Sequence, residues 1–204
     1  MAQWQAGNDE IQAVRRIFEE HLALFQEAAR DLPSAIAGAG QAIVESYRGS
    51  GKVLIFGNGG SFSDALHIEG ELTNRFRRDR AGLPAICLGA GQASLSATAN
   101  DYSYADLFAR LLQALGKPGD VALGLSTSGE SENVVRALAR ARELGLTTIA
   151  FTGEGGGRAG ELADVLVAAP SRETARVQEL HILAAHAICQ QVEDALFPPP
   201  TSAA

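Results

Sequence analysis

Cysteine is scarce in this chain: two residues, Cys87 and Cys189, in 204. Both sit in apolar stretches, so they are expected as buried, reduced thiols rather than as a disulfide framework. No apolar run approaches the roughly 20 residues needed to cross a bilayer. The polar opening Met1–Glu10 also lacks the apolar core of a secretory signal, so the expected location is cytoplasmic. Positive charge is short too. Lys and Arg number 17 against 24 Asp and Glu, a net charge of −7, which argues against a general electrostatic grip on nucleic acid while leaving room for a local basic patch. Two nucleotide signatures are missing: Gly57-x-Gly59-x-x-Phe62 lacks the third glycine of the dinucleotide fingerprint, and no G-x-x-x-x-G-K-[ST] occurs. No internal repeat is visible. With 46% hydrophobic residues there is enough apolar material for the core of one domain. That domain is expected over 1–197, with a helical extension at about 10–50 and a disordered tail at 198–204.

What is present is organised around Val53–Glu71, VLIFGNGGSFSDALHIEGE. Val53-Leu54-Ile55-Phe56 has the length and character of a buried parallel strand. Gly57-Asn58-Gly59-Gly60-Ser61 then breaks it. The glycines turn the backbone with its N–H groups uncovered, and Ser61 or Ser63 is placed to cap the helix that follows. A strand, a glycine turn and a helix N-terminus in that order predict an anion site. His67 and Glu71, four residues apart, project from one face of that helix. Alone they read equally as a surface ion pair; beside a phosphate turn they read as a metal or acid–base pair.

Upstream, helical periodicity predicts a helix over Ile11–Leu32 and a second opened by Pro33 and closed by Gly49-Ser50-Gly51. Their apolar faces pack on the sheet, on another subunit, or on both. Downstream, strands are predicted at Pro84–Leu88, Val121–Leu125, Thr147–Phe151 and Ala163–Ala168. Helices are predicted at Ala93–Ala99, Tyr104–Leu115, after Ser131 to about Leu144, and at Glu173–Leu196, with a turn at Asn100-Asp101 and a flexible loop at Gly155–Gly157. The alternation indicates an α/β fold: a three-layer, doubly wound, five-stranded parallel sheet of flavodoxin-like type, with extra N-terminal helices and a long C-terminal one. Ligands sit at the carboxyl ends of such strands, where the loops Gly57–Ser61 and Ser126–Ser131 both belong.

The second loop gathers Ser126, Thr127, Ser128 and Ser131 at a helix N-terminus, a way to hold phosphate with little positive charge. A capping box, Thr127-x-x-Glu130, is a compatible second reading. Gln178 and His186 on the last helix differ by about 80° around the axis and about 12 Å along it. They meet one small site only if their side chains stretch toward each other or two subunits contribute. His181 and His21 are read as structural.

The segments GNGGS followed by DALHIEGEL, then ANDYSYADLF, GDVALGLSTSGES and ARVQELHILAAH together resemble the sugar isomerase (SIS) domain family over nearly the whole chain. Within it they are most similar to enzymes that interconvert sedoheptulose 7-phosphate and D-glycero-D-manno-heptose 7-phosphate, the first step toward ADP- or GDP-heptose and so toward glycans such as lipopolysaccharide. The resemblance implies a homotetramer with active sites at subunit contacts and one Zn2+ per subunit. It further implies a phosphorylated seven-carbon sugar as partner, and neither nucleic acid nor membrane. It assigns the metal to His67, Glu71, Gln178 and His186. Substrate falls to Asn58, Gly59, Gly60, Ser61, Glu71, Arg75, Asn100, Asp101, Ser126, Thr127, Ser128, Ser131 and Gln178, with Arg75 reading equally as a surface charge.

Carbonyl transfer between C1 and C2 needs a proton removed from one carbon and one returned to its neighbour, for which Glu71 is the expected base and His186 the expected acid. One position departs from the family pattern: Glu130 replaces asparagine in TSGNS, and its carboxylate repels phosphate unless it points away into solvent or into the helix cap. Gly70 and Ala175 also stand where relatives often carry acidic residues. The rival reading is a non-catalytic regulator of the same fold, similar to the relative that binds the replication initiator. That relative lacks the equivalents of Glu71 and His186, and this chain keeps both.

Overall fold

The structure is a computed structural model that describes residues 6–198. Five strands, β1 (Val53–Gly57), β2 (Ala85–Cys87), β3 (Val121–Ser126), β4 (Thr147–Thr152) and β5 (Val165–Ala168), form one all-parallel sheet in the order β2-β1-β3-β4-β5. Val53 and Ile55 enter the core on one face while Leu54 and Phe56 enter it on the other. Because both faces are covered, the strand reads as an unbroken apolar run rather than an alternating one.

Helices α2 (Pro33–Arg48), α3 (Gly60–Thr73) and α8 (Thr174–Leu196) cover the first face. Helices α5 (Leu107–Leu115), α6 (Glu132–Glu143) and α7 (Gly157–Glu161) cover the second. The chain therefore leaves β1 toward one face and β3 toward the other, and the crevice between these neighbours opens at their carboxyl ends. At the opposite edge Asp120, wholly buried, accepts from the Lys52 ammonium at 2.5 Å and the Lys52 N–H at 3.0 Å. That clip holds the starts of β1 and β3 together.

The first helix, α1 (Asn8–Asp31), buries little more than Ala28. Ile11, Val14, Ile17, Phe18 and Leu22 are 46–68% exposed. Of the two N-terminal helices, then, α2 packs on the sheet and on α8, whereas the apolar row of α1 stays uncovered within the chain. An apolar groove of about 660 Å³ runs between α1, α2 and α8, lined by Leu22, Phe25, Leu32, Ile36, Leu180 and Leu183. No described helix is long and apolar enough to cross a membrane.

Local expectations are corrected at several points. Neither Ser61 nor Ser63 caps α3: Gly59 occupies the N-cap at φ +56, a conformation open to glycine, and no side chain accepts from the free N–H groups of the first turn. The Thr127-x-x-Glu130 box does not cap α6, whose N-cap is Ser131. Asn100 and Asp101 are the last residues of α4 (Gln92–Asp101) rather than a turn. Tyr104–Asp106 is a 3-10 turn leading into α5, and Gly157 opens the short α7 instead of lying in a loop. Cys87 and Cys189 are buried and free, as expected. Burial raises both thiols to about 12, which leaves them protonated and inert. The tail expected at 198–204 lies, after Pro198, outside the described residues.

Candidate active site

The glycine turn is built against the last helix. A Cβ at Gly60 would meet the Gln178 carboxamide, so a side chain there would have to push Gln178 away from the turn. Ser61 is buried in the first turn of α3. Asn58 is held by two residues that the sequence reading passed over. Its Nδ2 donates to Asn133 Oδ1 at 2.9 Å, and its Oδ1 accepts from Asn133 Nδ2 at 2.9 Å and from the Tyr104 hydroxyl at 2.9 Å. Asn133 is 3% exposed in the first turn of α6. This amide pair bridges the crevice between the β1 and β3 loops, and it leaves backbone N–H groups, rather than the Asn58 side chain, free at the turn.

The serine loop lies on the other wall. Ser126 Oγ donates to Ser131 Oγ at 3.1 Å, Ser128 Oγ accepts the Glu130 N–H at 3.1 Å, and Gly129 adopts φ +69. Any side chain at Gly129 would strike the Gly156 carbonyl, so the glycines before α7 let that turn support the loop from behind. Glu130 faces this support. Its Oε1 accepts the Arg158 N–H at 3.1 Å at the start of α7, which directs its charge toward α7. Above the loop a cavity of about 280 Å³ is bounded by Thr127, Ser128, Glu154 and Arg172, the last two joined by an ion pair of 2.7 Å.

Two turns down the same pair of helices stands the second cluster. Gly60 faces Gln178 and His67 faces His186, so α3 and α8 run side by side in the same direction. His67 Nε2 lies 3.1 Å from His186 Nε2 and 3.3 Å from Glu71 Oε1. Among the described residues these three form the one group of at least three metal-ligating side chains with ligand atoms within 4.8 Å of one another. Donors on the corners of a tetrahedron around zinc at its usual bond lengths are about 3.3 Å apart. The spacing and the nitrogen–oxygen donor set fit such an ion, with the His67 side chain 46% exposed and that of Glu71 more shielded, at 24%. Phe76 stacks on the His186 ring, with centroids 5.6 Å apart.

Of the remaining expected residues, Gln178 joins the glycine turn, while Arg75, Asn100 and Asp101 enter neither cluster within one chain. Gln178, at Gly60, sits about two turns of α8 from His186. Arg75 lies exposed beyond the end of α3, and Asn100 bonds its neighbour Asp101 at 2.7 Å on an exposed helix end. His181 is structural, buried with its Nε2 donating to the Thr152 carbonyl at 2.9 Å. His21 packs between α1 and α8, bonded to Glu179 and Arg176. Asn133 carried no motif of its own and was signalled only by nearness to Ser131, whereas Tyr104 lay within the ANDYSYADLF segment without a role assigned to it.

The SIS domain family profile matches residues 14–153. A phosphoheptose isomerase of Thermodesulfovibrio yellowstonii is 44% identical over 189 residues, covering 93% of this chain and 94% of the relative. One of Paramagnetospirillum magneticum is 51% identical over 158 residues, covering 78% and 82% respectively. Among solved structures, a phosphoheptose isomerase from Francisella tularensis superposes with a TM-score of 0.87 at 36% identity, over 91% of this chain and 98% of that one.

Proposed function

This chain belongs to the SIS domain family, and we propose that it is a phosphoheptose isomerase, converting sedoheptulose 7-phosphate to D-glycero-D-manno-heptose 7-phosphate. The observation that carries this reading is the convergence of His67, Glu71 and His186 on a chain whose relatives of that name match it nearly end to end. The same three residues weigh against a non-catalytic regulator, which has no need of a base and an acid held together.

The sugar's phosphate is taken by the hydroxyls of Ser126, Thr127, Ser128 and Ser131 and by the N–H groups at Gly59 and Gly60. Glu130 does not oppose it, because its carboxylate is bonded on the α7 side. At the reacting end the Glu71 carboxylate removes the proton from C1 while the C1 hydroxyl proton passes to the C2 oxygen by way of the enediol, and His186 supplies the proton that C2 gains; Glu71 ends protonated and His186 deprotonated, and exchange with water resets the pair. A zinc ion held by His67, Glu71 and His186, joined by Gln178 only if that side chain comes from another subunit, would polarise the carbonyl oxygen and stabilise negative charge on the enediol oxygens.

Glu71 lies eleven residues along α3 from Gly60, about 16 Å of helix rise. That separation exceeds the reach of a seven-carbon sugar phosphate whose phosphate sits at the glycine turn of the same chain. It supports a site shared between subunits, with the serine loop of one copy facing the His67–Glu71–His186 group of another in a homotetramer. The uncovered apolar row of α1 provides a surface for such assembly. A cytoplasmic enzyme at the head of nucleotide-heptose synthesis is the corresponding cellular role. Incubating the purified protein with sedoheptulose 7-phosphate, with and without a chelator, tests the reading. Formation of the aldose, lost on chelation, is expected; no turnover with zinc present would sink it.

A further inference from the structure

Glu193 stands on α8 seven residues after His186, two turns on along the same helix face. Its carboxylate accepts the backbone N–H groups of Arg77 at 3.0 Å, Arg78 at 3.0 Å and Phe76 at 3.3 Å. It also takes Arg80 Nε at 3.1 Å, and both side chains of this ion pair are 2% exposed. The rest of the Arg80 guanidinium points the other way, into the end of α3. Nη2 donates to the carbonyl of Glu71 itself at 2.8 Å and Nη1 to that of Leu72 at 2.9 Å. These are carbonyls of the last helical turn, where intrahelical partners run out.

We propose that Arg80 and Glu193 are positioning residues that hold Glu71 in register with His186. One guanidinium joins the backbone of Glu71 to the helix that carries His186. The carboxylate that anchors it also fixes Phe76, whose ring stacks on His186. α3 and α8 are otherwise joined here by apolar side chains and by the His67–His186 contact itself. A slide of a few tenths of an ångström would change the 3.1 and 3.3 Å spacings of the histidine–carboxylate group. A planar, doubly anchored guanidinium forbids it, and a lysine cannot reproduce that fork. Outer partners of this kind influence metal affinity and activity by about 10- to 100-fold.

The inference rests on the reading of His67, Glu71 and His186 as a metal-holding active centre, and its test is read separately from activity. Full-length wild type, Glu193→Gln and Arg80→Lys are compared for zinc affinity by competition with a chromophoric chelator, for kcat and KM on sedoheptulose 7-phosphate, and for thermal midpoint. Lys52→Met, which breaks the buried Lys52–Asp120 pair at the far edge of the sheet, serves as the structural control. Both test variants are expected to bind zinc about 10- to 100-fold more weakly and to lose kcat by a similar factor, with KM within about twofold. Lys52→Met is expected to lower the thermal midpoint while leaving zinc affinity unchanged. Test variants that lose thermal stability but keep wild-type zinc affinity and kcat would overturn the positioning role. If Arg80→Lys does not fold, the isosteric Glu193→Gln decides. Weakened zinc binding in the variants of a wild type inactive on the heptose phosphate would overturn the substrate assignment and still support the positioning role.

Discussion

His67 and His186 are 119 residues apart in the chain, and their Nε2 atoms stand 3.1 Å apart. Two imidazole nitrogens at that distance cannot both carry a proton toward each other. At least one lone pair is aimed into the space that Glu71 Oε1 also faces.

Replacing Glu71 by Gln keeps the size and shape of the side chain and removes the base. Turnover of sedoheptulose 7-phosphate is expected to fall by about 10²- to 10⁴-fold, the usual range for losing a positioned acid or base. The circular dichroism spectrum should be unchanged. Wild-type turnover by this variant would exclude Glu71 as the base.

Metal content should follow the same cluster. One zinc per chain is expected in the purified protein, falling strongly in His67→Ala and His186→Ala as measured by atomic absorption. Chelation of the wild type should abolish turnover and added zinc should restore it. Full activity in a metal-free preparation would show the cluster to be an acid–base group alone.

Glu71 and His186 meet within one chain, whereas the glycine turn that opens α3, on the wall facing the serine loop, lies about 16 Å from Glu71 along the helix. Mixing inactive Glu71→Gln chains with inactive His186→Ala chains, after dissociation and reassembly, should therefore restore nothing. Mixing Glu71→Gln with a Ser128→Ala/Ser131→Ala double variant should restore up to about a quarter of wild-type activity, because random assembly pairs an intact cluster with an intact loop at that frequency. Recovery in the first mixture, or none in the second, contradicts a shared site of this kind.

The α1 row should matter to assembly before it matters to folding. Phe18 and Leu22 are 68% and 64% exposed. Converting both to Glu is expected to shift the light-scattering mass from tetramer toward smaller species while leaving helix content intact. An unaltered mass would remove α1 from the interface.

Burial lowers His181 to about 4, despite the hydrogen bond to Thr152 that favours its charged form. The folded chain therefore binds this proton less readily than the unfolded chain, in which histidine titrates near 6.5. Stability is full above pH 6.5 and is lost as pH falls toward 4, by about 3 kcal/mol. Denaturant titrations across this range should show the slope, and His181→Gln should flatten it by about one proton.

The strands were legible because a two-sided parallel sheet demands runs such as Val53–Phe56, and the glycine and serine loops because each follows such a run. The helix starts were misread for a local reason. Ser61 and Thr127 have the chemistry of caps, but tertiary packing assigns those positions to Gly59 and Ser131. Asn133, Tyr104, Arg80 and Glu193 were invisible as a group, since their partners meet only once α6, the 3-10 turn before α5, the loop after α3, and α8 are brought together. Glu130 gave a warning the sequence could not resolve. Its direction depends on α7, a helix of five residues that carries no periodic pattern.

Local composition and spacing by themselves determined the parallel α/β sheet, the two anion-ready loops at its carboxyl edge and the His67–Glu71 pair on one helix face, because those features follow from backbone periodicity over a few residues. Only the tertiary structure decided that His186, not Gln178, completes that pair within a single chain. The choice depends on where α8 lies along α3, a register fixed by packing between segments more than 100 residues apart in the chain, as the His67–His186 contact shows.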